Sequence, residues 1–177
     1  MVIFITGATH TGKTNLSQKL LEKHLFPCVS QDHIKMGLIR SHYTALTPED
    51  DDLLTDYLWP ITREMAKTAI ENGQNLIIEG CYFPFDWKKD FDDGYLRHIR
   101  FICLCMSDRY IDRHFDAVQA FASCIERRMD DGYCTPELLR RENRQYLAGC
   151  QQHGLDYVLI DDSYEAALKQ ALSLADK

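Results

Sequence analysis

The chain has 177 residues, a mass of 20.6 kDa, 45% hydrophobic and 27% charged residues, which points to one domain over 1–177 and excludes disorder, collagen and a coiled coil. Its formal net charge of −7 disfavours extended nucleic-acid binding but leaves room for a local basic funnel that takes phosphorylated ligands. No run approaches the ~18 apolar residues of a membrane span, so no membrane partner is expected.

Met1 leads straight into Val2-Ile3-Phe4-Ile5 with no basic leader, so the start reads as a mature strand rather than a signal. Seven cysteines, an odd number with no C-x-x-C pair, then read as free thiols of a reducing, cytoplasmic protein. Val2 to Thr6 is a short apolar run closed by Gly7, and Lys13 to Leu25 carries Leu16, Leu20, Leu21 and Leu25 at helical spacing. Phe26 to Asp32 reads as a second strand, and His33 to about His42 as a short helix. A longer helix is expected from Glu49 to Asn72, started by Thr47-Pro48 and kinked or divided at Pro60. Its acids Glu49, Asp50, Asp51 and Asp52 read as solvated charges on the positive end of the helix dipole.

Asn75 to Glu79 is a third strand, and its apolar centre suits a sheet covered on both faces. Phe83, Pro84, Phe85 and Trp87 follow, as a wall of a binding site or as packing under a loop. His98 to Met106 is a fourth strand, in which Cys103 and Cys105 share a face and read as small buried residues. Ser107 caps a helix expected to reach about Arg128, where Asp130-Asp131-Gly132 breaks it. Thr135-Pro136 starts a helix to about Gln152, Tyr157 to Asp161 is a fifth strand, and Ser163 to Ala175 is the last helix. Strands alternating with helices predict an α/β fold of three layers around a five-stranded parallel sheet.

The most specific feature is Gly7-Ala8-Thr9-His10-Thr11-Gly12-Lys13-Thr14, an uninterrupted G-x-x-x-x-G-K-T between an apolar strand and a leucine-patterned helix. Glycines at these positions let the backbone fold tightly, so that successive amide hydrogens converge on a phosphate at a helix N-terminus. Lys13 is expected to bridge β- and γ-phosphates and the Thr14 hydroxyl to ligate Mg²⁺. Gly7, Thr9, His10, Thr11, Gly12, Lys13, Thr14 and Asn15 form the candidate nucleotide-binding set.

On this motif and its context the chain resembles the P-loop NTPases. It has neither the N-K-x-D and D-x-x-G motifs of GTPases nor an L-S-G-G-Q-like transporter signature. What remains is the small-molecule and nucleoside monophosphate kinase-like branch, which implies a P-loop fold with a helical lid, here about 109–144. Ser30-Gln31-Asp32-His33-Ile34-Lys35 resembles the S/N-x-D-x-I-R element of phosphoglycerate-type, zeta-toxin-like and polynucleotide 5′-kinases. That resemblance implies that Asp32 takes the proton of an acceptor hydroxyl and that Lys35 helps to hold the substrate, with lysine replacing a bidentate arginine. Leu76-Ile77-Ile78-Glu79-Gly80 resembles the L-I-x-E-G string of the same kinases, which implies that Glu79 orients Mg²⁺-bound water near the substrate.

Arg109, Arg113, Arg127, Arg128, Arg140, Arg141 and Arg144 concentrate between the fourth and fifth strands, where such kinases carry their lid. Arginines meet the charge that spreads over a transferring phosphoryl group. Arg127 and Arg128 are the candidate closing residues, and Arg109 and Arg113 the candidate nucleotide contacts. A bland role is equally available, since Arg140 and Arg144 can pair with Glu137 and other acids on a solvated helix. The function expected is an ATP- and Mg²⁺-dependent small kinase acting on a small-molecule or nucleotide acceptor. The alternatives are a polynucleotide- or zeta-type kinase on a larger acceptor and a regulatory nucleotide-binding module without transfer activity.

Overall fold

The computed structural model describes residues 1–122, 125 and 134–176. Strands β1 (Val2–Gly7), β2 (Cys28–Ser30), β3 (Leu76–Glu79), β4 (Ile99–Met106) and β5 (Tyr157–Ile160) form one sheet in the order β2-β3-β1-β4-β5, every pair parallel. The helices are α1 (Lys13–His24), α2 (Gln31–Arg40), α3 (Asp51–Glu71), α4 (Asp93–Leu96), α5 (Asp108–Ala120), α6 (Pro136–His153) and α7 (Tyr164–Ala175). No helix among the described residues is long and apolar enough to cross a membrane.

Strand alternation sorts the core into two layers. Ile3, Ile5, Ile77, Ile102, Leu104 and Val158 pack with Leu16 and Leu20 of α1, Ile111 of α5 and Ala171 of α7. Val2, Phe4, Ile78, Phe101, Cys103 and Cys105 face the other way, onto Trp59, Ala66 and Ala69 of α3 and Cys150 of α6. β1 is wholly buried between β3 and β4. Its carboxyl end is therefore the one place where that central strand can hand a loop to solvent.

Several local expectations hold and others need correction. Ser107, Thr135 and Ser163 cap α5, α6 and α7 by accepting the amide hydrogens of Tyr110, Leu138 and Ala166. α3 begins later than Thr47-Pro48 predicts: Asp50 is its N-cap, and the Asp50 carboxylate accepts from both the amide and the hydroxyl of Thr47. Pro60 does not divide α3, which runs through to Glu71. An interior proline costs about 3 kcal/mol, and here Leu54, Leu58, Trp59, Thr62, Ala66 and Ala69 are buried on both sides of it. α5 ends at Ala120, short of the expected Arg128. The aromatic loop packs: Trp87 stacks on Phe101 with ring centroids 5.6 Å apart, and Phe4 meets Phe83 at 5.0 Å.

Gly149 lies on the face of α6 against Phe85, and a Cβ there would run into that ring. Alanine normally stabilises a helix interior by roughly 1 kcal/mol over glycine, whereas overpacking costs typically ~1–3 kcal/mol. Gly149→Ala is expected to lower unfolding stability by about 1–2 kcal/mol in urea titration. In a Phe85→Leu background the same change is expected to cost less than half as much. A stabilising Gly149→Ala would show that Phe85 does not press on this helix.

Candidate functional site

The Gly7–Thr14 loop leaves the end of β1 and turns into α1. Gly12 is the N-cap of α1 at φ 85°, and a Cβ at this position would strike the hydroxyl of Tyr164, so glycine is required on both counts. His10 also adopts a left-handed conformation, φ 63°, which is uncommon for a side chain that is not glycine. The Thr11 hydroxyl, fully buried, donates to the Ala8 carbonyl at 2.9 Å and ties the loop across its base. Lys13 folds back over the loop, its Nζ donating to the carbonyls of Gly7 at 3.1 Å and Ala8 at 2.8 Å. Asn15 donates to the Tyr164 hydroxyl at 3.0 Å, which fixes the first turn of α1 against α7.

Two contacts at the loop tip come from α6 and from the segment just before it. The Thr9 amide donates to the Glu142 carboxylate at 3.2 Å. His10 Nδ1 lies 2.9 Å from the Thr9 hydroxyl and 3.8 Å from the Cys134 thiol. Nothing in the linear sequence marks Glu142 as a loop partner, because it lies 133 positions away.

The ends of β2 and β3 supply the opposite wall. Ser30 caps α2 and accepts the Asp32 amide at 3.3 Å. Gln31 is fully buried; its amide group donates to Thr62 and to the Tyr82 carbonyl, both at 3.1 Å, and accepts the Tyr82 amide at 2.8 Å. With Gln31 locked inside, the Asp32 side chain emerges 56% exposed and sits 2.7 Å from Lys35 Nζ. Lys35 also donates to the Tyr82 hydroxyl at 2.8 Å, and that hydroxyl donates to Asp51 at 2.9 Å. A continuous chain Asp32–Lys35–Tyr82–Asp51 results. Burial, with Cys81, Asp51 and Asp32 nearby, holds the Tyr82 phenol far above its usual range, so it stays protonated. Sequence reading treated Asp51 as merely solvated and missed Tyr82.

Glu79 ends β3 at 5% exposure, in register with Ser30 of β2 and Ile5 of β1. Two residues on, burial pushes the Cys81 thiol up to about 11, and the charges of Lys13, Asp32, Asp51 and Lys35 all act on it. β3 pairs with both β1 and β2, so the loop that leaves β1 at Gly7 and the residues Asp32 and Tyr82 that follow β2 and β3 lie at the same carboxyl edge of the sheet. The Tyr146 hydroxyl of α6 donates to the Cys81 carbonyl at 3.0 Å and closes the back of it. Among the described residues no three His, Cys, Asp or Glu side chains gather closely enough to hold a metal by themselves.

The arginines divide. Arg109 pairs with Asp161 and, at 2.6 Å, with Asp162 at the end of β5. Ser107, which donates to Asp161, and then Arg109 and Arg113 hold the Asp161 carboxyl below its usual range. Arg140 joins Asp112 and, at 2.7 Å, Glu137; Arg144 pairs with Asp108. The Arg140–Asp112 and Arg144–Asp108 pairs tie α6 to α5, and the Arg109 pairs tie α5 to the loop after β5, as surface contacts of small energetic weight. Arg127, Arg128 and the Asp130-Asp131-Gly132 break lie outside the described residues.

No protein-family model matches the chain, and no curated protein matches its sequence. Solved structures do. A shikimate kinase from Bacteroides thetaiotaomicron superposes with a TM-score of 0.58 at 16% identity, covering 100% of this chain and 99% of that one. Deoxyadenosine kinase from M. mycoides gives 0.57 at 15% identity, with 99% of each chain covered. A sugar kinase from Janibacter sp. gives 0.55 at 15% identity over 99% of this chain and 94% of the other. At these identities the likeness is one of fold: the chain shares with these structures an α/β architecture built on a five-stranded parallel sheet.

Proposed function

We propose that the chain is a Mg²⁺- and ATP-dependent phosphotransferase that moves the γ-phosphoryl group to a hydroxyl or phosphate of a small acceptor. One observation carries the reading: the Gly7–Thr14 loop with Lys13 folded over it and the Asp32–Lys35–Tyr82–Asp51 chain follow adjoining strands at one edge of the sheet. The solved structures of similar fold include sugar, shikimate and deoxyadenosine kinases, which supports transfer chemistry of this kind.

The residues present fit the implied cofactors. The loop wall at Gly12 is backbone alone, since a side chain there would strike Tyr164, and amide hydrogens at a helix N-terminus suit phosphate oxygens. Mg²⁺ usually keeps several waters and takes one or two protein oxygens besides phosphates. Thr14 and Glu79 suit that role without a cage of carboxylates. When bound, Mg²⁺-ATP supplies a phosphoryl group whose negative charge the metal partly neutralises.

The chain's own groups then divide the work. Lys13 exchanges the Gly7 and Ala8 carbonyls for β- and γ-phosphate oxygens. Asp32 accepts the proton as the acceptor oxygen bonds to phosphorus and the bond to the departing diphosphate breaks. Lys35, itself held by the Tyr82 hydroxyl, positions that carboxylate, and Arg109 and Arg113 stand on the side of the β5 loop. Arg127 and Arg128 are proposed as the groups that close on the transferring charge.

Lys13→Ala is expected to cut ATP turnover by about 10²-fold or more, the scale of losing one charge aimed at the transition state. Circular dichroism and thermal melting should show the fold retained. Turnover above one tenth of wild type would remove the loop from the mechanism. Asp32→Asn is expected to lower kcat for phosphoryl transfer by roughly 10²–10⁴-fold, the span of a positioned general base. Its Kd for an ATP analogue, read by calorimetry, should change less than about threefold. Loss of nucleotide binding with transfer intact would instead assign Asp32 to the nucleotide side.

A further inference from the structure

In the proposed reaction the backbone amides of the Gly7–Thr14 loop turn to phosphate oxygens, yet one of them already meets an anion. The Thr9 N–H donates to a Glu142 carboxylate oxygen at 3.2 Å, although 133 positions separate the two residues. Glu142 belongs to α6 and is half-buried. Arg140, Arg141 and Arg144 lie within two positions of it in the chain, but Arg140 and Arg144 pair with Asp112, Glu137 and Asp108. The Glu142 carboxylate goes to the loop instead.

The helix that carries Glu142 is pinned beside it. Asn143, 1% exposed, accepts the Met106 amide at 2.6 Å through its side-chain carbonyl and donates its own amide hydrogen to the Leu139 carbonyl at 2.8 Å. One turn on from Glu142, the Tyr146 hydroxyl donates to the Cys81 carbonyl at 3.0 Å. The backbone at Glu142 is therefore fastened to the end of β4 and to the segment after β3, and withdrawal of the carboxylate falls to its own side chain. A carboxylate held this way competes as a tethered ligand, at an effective concentration on the order of millimolar or above. It cannot share the Thr9 N–H with a phosphate, because like charges about 4 Å apart repel strongly at a protein surface.

On the reading that the loop seats phosphate, on which this depends, we propose that Glu142 is a built-in surrogate for phosphate. Its carboxylate fills the Thr9 corner of the empty loop and swings aside when a nucleoside polyphosphate is seated, so this one side chain sets nucleotide affinity. No covalent bond is made or broken; the Thr9 N–H passes from a carboxylate oxygen to a phosphate oxygen. A ligand without phosphate has no such acceptor to offer and leaves the carboxylate in place.

Calorimetry on the full chain with Mg²⁺ and adenylyl imidodiphosphate, a non-hydrolysable ATP analogue, reads the effect. Glu142→Gln keeps the size of the side chain and a carbonyl acceptor while removing the charge, and is expected to tighten the Kd of the analogue about tenfold. Glu137→Gln removes an equal charge from the same helix, where Glu137 pairs with Arg140, and is expected to change that Kd less than about twofold. Thermal melting checks each fold, and if Glu142→Gln does not fold, Glu142→Ala takes its place with about fivefold tightening expected. Unchanged or weaker binding in the folded Glu142 variant, or equal tightening by Glu137→Gln, would overturn the assignment. Lys13→Ala separates the two levels. If it weakens the analogue while Glu142→Gln does not strengthen it, the loop stays a phosphate site and only the role of Glu142 falls. If neither the unaltered chain nor the Glu142 variant binds the analogue, or Lys13→Ala binds it as well as the unaltered chain, the loop is not a nucleotide site and the role of Glu142 falls with it.

Discussion

The arrangement at the site hangs on one ammonium group. Lys13 Nζ is held by the carbonyls of Gly7 and Ala8, and the Thr11 hydroxyl holds Ala8 from inside the loop. An ammonium donates three hydrogens and needs partners once water is restricted. The loop folds its own carbonyls toward the lysine, while the Thr9 amide donates to Glu142. The loop can do this because β1, buried on both faces, delivers Gly7 at a fixed height beside Leu104 of β4. Rigidity of the sheet thus becomes geometry of the loop.

A second constraint is the buried amide of Gln31. It binds the Tyr82 backbone on both sides and Thr62 of α3, so the ends of β2 and β3 and the middle of α3 move as one body. Replacing such a group with an apolar one strands buried donors and acceptors. The consequence reaches outward, because Asp32 and Tyr82 flank the locked positions and their side chains meet through Lys35. Acid, base and phenol are held by packing beneath them rather than by their own weak surface pairings.

Charge placement follows the same economy. The chain carries 27 acidic against 20 basic residues, and three basic side chains at the site have oxygen partners: Lys13 two carbonyls, Lys35 Asp32, Arg109 Asp161 and Asp162. In the proposed reaction, a phosphorylated ligand would meet cations that exchange one oxygen partner for another. Such exchange costs less than desolvating a free charge, and it keeps the empty site from repelling itself.

The strand-and-helix alternation, the parallel sheet, the caps at Ser107 and Thr135 and the glycine-bounded turn from β1 into α1 were all legible in the sequence, because each rests on local rules: hydrophobic period, cap chemistry and a contiguous motif. Local rules misjudged Pro60, where burial along α3 outweighs the missing hydrogen bond. The pairing of Arg140 and Arg144 with Asp112, Glu137 and Asp108 is the solvated-helix role that the sequence also allowed them. Tertiary structure alone decided that Tyr82 links Lys35 to Asp51, that Glu142 reaches the Thr9 amide, and that Trp87 buries an N–H unmatched among the described residues. Each is a meeting of side chains tens of positions apart, and no periodicity in a chain records which distant side chains its sheet order will bring together.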